Sequence, residues 1–166
     1  MTRERHEHGF GPFYAPDSRI LILGSFPSVK SREVSFFYGH PQNRFWKVIS
    51  SVFGCACPES IEDKKVFLCK NRIALYDVIE SCSIIGSQDS TIEDVVPADL
   101  RPILGGSKVG ENIYVNGGKA YELYMRYIFT ETAIEPVKLP STSPANAAYS
   151  LDRLIEIWKS KISVPE

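Results

Sequence analysis

The stretch Leu21-Ile22-Leu23-Gly24-Ser25-Phe26-Pro27-Ser28-Val29-Lys30-Ser31-Arg32-Glu33-Val34-Ser35-Phe36-Phe37-Tyr38-Gly39-His40-Pro41-Gln42-Asn43-Arg44-Phe45-Trp46 decides how this chain folds. Its first residues continue an apolar run from Ile20 to Leu23, bounded by Arg19 and Gly24, the pattern of a strand buried on both faces of a parallel sheet. A Gly-Ser turn and a polar loop follow, then an aromatic cluster, and then Gly39-His40-Pro41-Gln42-Asn43. From Asn43 to Phe53 the apolar residues Phe45, Trp46, Ile49, Val52 and Phe53 recur at helical spacing, and Gly54 supplies the stop.

Towards the carboxyl end the strand-then-helix pattern repeats. Ser60 with Asp63 reads as a capped start for a helix carrying Val66, Phe67 and Leu68 and ending near Asn71. Ile73 to Ile79 predicts a second strand running into Tyr76 and Asp77, followed by a loop from Cys82 to Thr91. Ser90 or Thr91 with Glu93 or Asp94 resembles another helix start, kept short by Pro97 and Pro102. Ile113 to Val115 is a third strand, and Asn116-Gly117-Gly118 a sharp turn into a helix carrying Ala120, Leu123, Tyr124, Tyr127 and Ile128. Val137 to Leu139 is a fourth strand. Pro140 to Pro144 forms a loop, with Pro144 in the first turn of a terminal helix, Ser143 as its cap, and Leu151, Leu154, Ile155, Trp158 and Ile162 as its apolar stripe.

Strand and helix alternate about four times, which predicts an α/β fold of three layers, α/β/α, around a four-stranded, mainly parallel sheet. With 166 residues, 43% of them hydrophobic, the expectation is one domain over residues 1–166, with residues 1–18 wrapping the surface through Phe10, Phe13 and Tyr14. His6 and His8 in that tail are weak metal candidates. In open sheets of this kind ligands bind beyond the carboxyl ends of the strands. Four loops qualify, 24–43, 76–90, 116–118 and 140–146.

Charge narrows the function classes. Nineteen Lys plus Arg stand against 20 Asp plus Glu, so an electrostatically dominated nucleic-acid or membrane binder is not indicated, although a local basic patch is compatible. Asp77, Glu80, Asp89, Glu93, Asp94 and Asp99 fall between Ile73 and Leu100, where there is no Lys or Arg. That span should face away from a polyanion or present its acids at a site. The beginning of the chain lacks a signal-peptide pattern and no run approaches the roughly 20 apolar residues of a membrane span, so a soluble, intracellular, cytoplasmic protein with no membrane partner is expected. Cys55, Cys57, Cys69 and Cys82 lack metal-site spacing and read as reduced thiols.

The first-strand turn matches neither GxxxxGK[ST] nor GxGxxG, and no serine stands in a GxSxG elbow. What the loops offer is aromatic rings, carboxamides and hydroxyls, which suit a planar heterocycle stacked on one face and hydrogen-bonded along its edge.

On these residues the chain resembles the uracil-DNA glycosylase superfamily, and within it most closely the DNA-deoxyinosine (hypoxanthine-DNA) glycosylases. The resemblance is carried in order by Gly24 to Ser28, Tyr38 to Trp46, Ala74 to Ile79, Gly86 to Ser90, Asn116 to Ala120 and Leu139 to Ala147. It implies a base flipped from double-stranded DNA into a pocket at the strand ends and an N-glycosidic bond hydrolysed to leave an abasic site, by a monomer without metal or organic cofactor. It further implies Tyr38 as the ring that stacks on the base, with Ser25, Phe26 and Tyr76 as base-binding candidates. Ser28, Ser141, Thr142, Ser143 and Pro144 become DNA-contact candidates.

Many superfamily members carry Asn or Asp where this chain has Phe26, and His or Asn where it has Leu139. The same departures resemble the deoxyinosine branch, with catalytic weight on Asn43 and support from Asn116, and they put uracil activity in question. Removal of hypoxanthine from deoxyinosine is therefore the expected activity. The alternatives are a uracil or mismatch-specific glycosylase and a catalytically silent protein that binds a nucleobase or damaged DNA. Several residues carry two readings: Asn43 caps a helix or donates to the base, Asn116 shapes a turn or assists, and Asp89 is a turn residue or orients water. Ser87 is a further candidate in the same loop. Lys30, Arg32 and Lys119 are solvated charges or phosphate contacts.

Overall fold

A computed structural model describes residues 2–163; Met1 and residues 164–166 of the expected domain lie outside the described residues. Strand β1 (Arg3–Glu7) comes first, followed by β2 (Ile20–Gly24), whose five residues are all buried. Helix α1 (Val29–Val34) and helix α2 (Phe45–Val52) precede α3 (Ile61–Lys70). Strands β3 (Ile73–Asp77) and β4 (Ile79–Ile85) then run almost without a break, a 3₁₀ turn at Asp89–Thr91 leads to β5 (Glu93–Pro97), and α4 (Arg101–Gly106) follows. The rest is β6 (Ile113–Asn116), α5 (Gly118–Tyr127), α6 (Phe129–Thr132), β7 (Val137–Leu139) and α7 (Leu151–Lys161).

The central sheet has the order β3-β2-β6-β7, with every pairing parallel. Because β2 is paired on both edges and covered on both faces, its side chains have no solvent-facing side, which is why Ile20 to Leu23 tolerate no polar residue. The edge strand β7 is short and leaves Val137 40% exposed. Helices cover both faces. Helix α2 packs on α7, where the fully buried Trp158 meets Phe45 edge to face at 5.9 Å. Trp158 also donates its indole N–H to the Pro140 carbonyl at 2.8 Å, so the helix that fills the core also holds the loop after β7.

Several expectations need correction. The amino-terminal segment does more than wrap the surface, because β1 pairs antiparallel with β4, which pairs antiparallel with β5, making a second, three-stranded sheet. The expected strand from Ile73 to Ile79 divides at Val78. There Val78 N–H donates to the Gly24 carbonyl and the Val78 carbonyl accepts from Ala98, so the chain leaves one sheet and enters the other. The expected loop from Cys82 to Thr91 begins as strand, since Cys82 to Ile85 complete β4 between β1 and β5, with Cys82 and Ile84 buried. The expected helix start near Ser90 is the 3₁₀ turn followed by β5. Thr91 Oγ1 accepts from Ile85 N–H and donates to the Gln88 carbonyl, which closes the β4–β5 turn and leaves no cap for a helix.

Two helix boundaries also move. The polar loop after Ser28 holds α1, capped by Ser28, whose hydroxyl accepts from Ser31 N–H at 3.1 Å. The terminal helix starts at Leu151 under the cap of Ser150, not at Pro144. Carbonyls that a helix beginning at Pro144 would use internally are instead drawn to the Arg44 guanidinium, which takes those of Ser143, Asn146 and Tyr149.

Candidate active site

The carboxyl ends of β2, β3 and β6 open into a cavity of about 620 Å³, closed on its sides by the loops after β2, β4 and β7. A cavity of this size accommodates a small heterocycle with room to spare. The loop after β2 contributes Ser25, Phe26 and Ser28, the segment before α2 contributes Tyr38, His40 and Asn43, and the turn after β4 contributes Ser87 and, at the start of its 3₁₀ segment, Asp89. Asn116 enters from the end of β6, and Ser141, Thr142, Ser143 and Pro144 from the loop after β7. Twelve of the fourteen sequence-selected residues are thus brought to one cavity.

Asn43 is the most constrained of them. Its Oδ1 accepts two donors, the Phe45 backbone N–H at 2.9 Å and the Thr142 hydroxyl at 2.8 Å. The first closes a turn onto the opening N–H of α2, whose cap position is Arg44, so Asn43 braces the helix entrance without occupying the cap itself. Both together fix which end of the amide is which, because an Nδ2 in that place would confront two hydrogens. The Nδ2 donors then have no partner among the described residues, on a side chain that lines the cavity.

Thr142 is completely buried and ties this arrangement to Asn116. The Asn116 Nδ2 donates to Thr142 Oγ1 at 3.0 Å, and Asn116 Oδ1 accepts from Thr142 N–H at 3.1 Å. A chain of donors therefore runs from Asn116 through Thr142 to Asn43. Thr142, selected from sequence as a DNA contact, is inside the protein and acts as the bridge.

Tyr38 takes a left-handed backbone conformation, φ +52°, that aromatic residues rarely adopt. Its ring stacks on Phe45, with centroids 3.9 Å apart and planes 12° from parallel. Its hydroxyl oxygen is buried beside Asn116 without a well-formed hydrogen bond among the described residues, and burial, with Asp77 nearby, holds the phenol protonated well above the ordinary range while Asn116 opposes that rise. Ser25 donates to Asp89 Oδ2 at 2.8 Å. Asp89 as a residue is exposed, but its carboxyl sits against the concave wall, so partial desolvation raises its pKa and the Ser25 hydrogen bond opposes that rise. Ser87 Oγ accepts from Val29 N–H at 2.9 Å and anchors the 3₁₀ loop to α1.

Tyr76 and Lys119 do not line the cavity. Tyr76 points into the second sheet, where its hydroxyl donates to Glu80 and its ring meets His8 at 4.5 Å. Lys119 lies on the first turn of α5 in an ion pair with Glu122 at 3.9 Å. Sequence reasoning named Asp77 among the acids of its span and His8 as a metal candidate but missed that they pair: Asp77 is 5% exposed, and His8 is fully buried with Nε2 at 2.7 Å from Asp77 Oδ2. A carboxylate at the end of an otherwise apolar strand was the available signal for Asp77. All four cysteines are free, and burial pushes the Cys82 thiol up to about 11.

The chain is 36% identical over 157 residues to a hypoxanthine DNA glycosylase from Methanosarcina acetivorans, covering 93% of this chain and 96% of that protein. A hypoxanthine DNA glycosylase from Methanosarcina barkeri is 31% identical, covering 84% and 88%. The solution NMR structure of a candidate uracil DNA glycosylase from Methanosarcina acetivorans superposes with a TM-score of 0.74 at 34% identity, covering 92% of this chain and 94% of that one. No family model matches. With identity of this degree spread over nearly the whole length, and the three-layer fold shared, the chain belongs to the hypoxanthine DNA glycosylase family of the uracil-DNA glycosylase superfamily.

Proposed function

We propose that the protein is a monofunctional DNA glycosylase that flips hypoxanthine out of double-stranded DNA into this cavity and hydrolyses its N-glycosidic bond, leaving an abasic site. It works as a single-domain, cytoplasmic monomer without metal or organic cofactor. The observation that carries the reading is the Asn43 amide, whose oxygen is occupied twice and whose nitrogen is offered to the cavity. Cleavage passes through an oxocarbenium-like state in which negative charge grows on the departing base. A fixed N–H donor aimed at that base stabilises the transition state more than the ground state.

Around Asn43 the remaining residues take simple roles. Tyr38, backed by Phe45, stacks on the flipped base, and Phe26 with Ser25 closes the pocket beside it. Asn116 acts through Thr142 by fixing the Asn43 amide. Ser28, Ser141, Ser143 and Pro144 meet the DNA strand at the mouth, and Asp89, held by Ser25, faces the sugar and its attacking water. Hypoxanthine pairs weakly compared with a normal base, so extruding it costs less, which itself favours the damaged site.

The test is a set of duplex oligonucleotides, each containing one altered base, scored for alkali-labile abasic sites. Deoxyinosine is expected to be cleaved fastest. Asn43→Ala is expected to lose at least about 100-fold in single-turnover rate, as removal of a transition-state donor does, while a melt shows a loss of about 1–3 kcal/mol, because the Phe45 N–H and the buried Thr142 hydroxyl lose their acceptor. A folded, fully active Asn43→Ala protein would remove the assignment. Phe26, apolar where an amide or acid is common in the superfamily, favours a second reading in which the cavity binds damaged DNA silently. Tight binding of inosine duplex with no base release would establish that instead.

A further inference from the structure

His8 and Asp77 form a buried pair directly behind the cavity. His8 is enclosed by the rings of Phe10 and Tyr76, each with its centroid at 4.5 Å, and of Phe37 and Phe26 at 5.9 and 6.3 Å. Its Nδ1 is buried without a hydrogen-bond partner among the described residues. A carboxylate oxygen can only accept, whereas an imidazole N–H donates. His8 is therefore the donor, and Asp77 Oδ2 the acceptor.

The other carboxylate oxygen is free for a ligand. Asp77 ends β3 in register with Gly24 at the end of β2, and both residues line the cavity. Asp77 Oδ1 makes no hydrogen bond with any described residue, and a Cβ on Gly24 would lie 2.5 Å from it. Only glycine leaves room for the carboxylate there. The floor of the cavity thus presents an Asp77 oxygen that accepts hydrogen bonds and cannot donate them, with the Tyr38 hydroxyl close by.

We propose that Asp77 Oδ1 determines base specificity by accepting the N1–H on the Watson–Crick edge of a flipped 6-oxopurine, with His8 as the positioning residue that turns this oxygen towards the base. The inference rests on reading the cavity as a base pocket. Hypoxanthine carries one N–H donor at N1. Adenine carries a bare lone pair at the same atom, which would face the carboxylate lone pair. Guanine adds an amino group that needs a second acceptor, and the second oxygen is already held by His8. The contact selects and does not accelerate, because an anion at N1–H adds electron density to a base that must depart with negative charge. Acceleration is left to the Asn43 donor.

Two duplexes separate the possibilities, one with deoxyinosine and one with deoxynebularine, whose unsubstituted purine has a bare acceptor at N1. The wild-type protein is expected to favour inosine by at least about tenfold in kcat/KM, the scale of one hydrogen bond to a charged group. In Asp77→Asn, His8 still donates to the amide oxygen and the NH2 group turns to the base, so that preference is expected to fall at least about tenfold. His8→Phe, which removes the donor and keeps an aromatic ring, should shift it the same way. A purely structural defect slows both substrates alike and leaves the ratio unchanged, so an unchanged ratio in folded Asp77→Asn overturns the proposal. Calorimetric titration of the wild-type protein with free hypoxanthine and free purine keeps the test open should the variants fail to fold. Tenfold tighter hypoxanthine is expected, and equal or tighter purine overturns it. Base binding with that preference but no base release from any duplex would refute the glycosylase reading while leaving this inference standing.

Discussion

At the scale of single residues, the site turns on which end of one amide faces the cavity. The Thr142 hydroxyl donates to Asn43 Oδ1 while accepting from Asn116, so the orientation of Asn43 depends on a residue 99 positions away. Thr142→Val keeps nearly the same shape and removes the bridge. It is expected to lower the single-turnover rate by about 10- to 100-fold, the range of one oriented hydrogen bond in a transition state. Denaturant melts should show a loss of about 1–3 kcal/mol, because Asn116 Nδ2 is left without its acceptor. An undiminished rate in the folded variant would show that the Phe45 N–H alone suffices to orient the amide. Asn43 and Tyr38 were legible as cavity residues because each sits inside a collinear block of residues; Thr142 sits in such a block too, but its bridging position was not legible. A threonine in a proline-flanked loop reads as a surface contact, and only the three-dimensional closeness of Asn43 and Asn116 converts it to a buried bridge. His8 was illegible for the same reason, since nothing in a polar terminal segment indicates a cage of four rings.

At the scale of elements, legibility follows the source of stability. Strands β2, β3 and β6 announce themselves because strands of a covered parallel sheet must carry apolar side chains on both faces, whereas the edge strand β7, Val-Lys-Leu, buries only Leu139. The second sheet does not, because β4 reads Ile-Glu-Ser-Cys-Ser-Ile-Ile and becomes a strand through its partners on either side. Strand β1 supplies one of those partners and also the charge that the Ile73–Leu100 span lacks. Arg3 pairs with Glu93 at 3.5 Å, and Arg5 donates to Ser81 Oγ and to the Asp94 carbonyl. Removing residues 1–8 would bare the β4 edge and empty the space between Phe10, Phe26, Phe37 and Tyr76 that His8 fills. The truncated protein is expected to lose at least about 2 kcal/mol, in line with vacating a buried ring site, and to aggregate through the unpaired edge. Urea melts and light scattering measure the two effects. A truncated chain as stable and as monomeric as the full chain would reduce β1 to the surface wrapping that its sequence suggests.

At the scale of the whole molecule, the balance of 19 basic and 20 acidic residues constrains how the protein holds DNA. The cations carried beside the cavity-lining segments are largely engaged already. Lys30 pairs with Glu33 and Lys119 with Glu122. Arg32 donates to the Gly86 carbonyl and lies over the Phe26 ring at 5.4 Å, and Arg44 is spent on three loop carbonyls. The loops that meet the strand offer hydroxyls and backbone groups instead, through Ser28, Ser141 and Ser143. Neutral donors position a phosphate without releasing a counterion, so the affinity should depend only weakly on salt. For two or three neutralised phosphates the slope of log K against log salt is expected at about −2 to −3, each phosphate contributing about −0.9. Fluorescence anisotropy with an abasic-site duplex over a salt series gives this slope directly. A slope steeper than about −6 would require a broad cationic face, and the acids of the Ile73–Leu100 span would then have to lie on the side away from the DNA. A shallow slope leaves little of the affinity to charge, and the Asp77 and Asn43 variants should then weaken binding to inosine duplex far more than binding to an undamaged one.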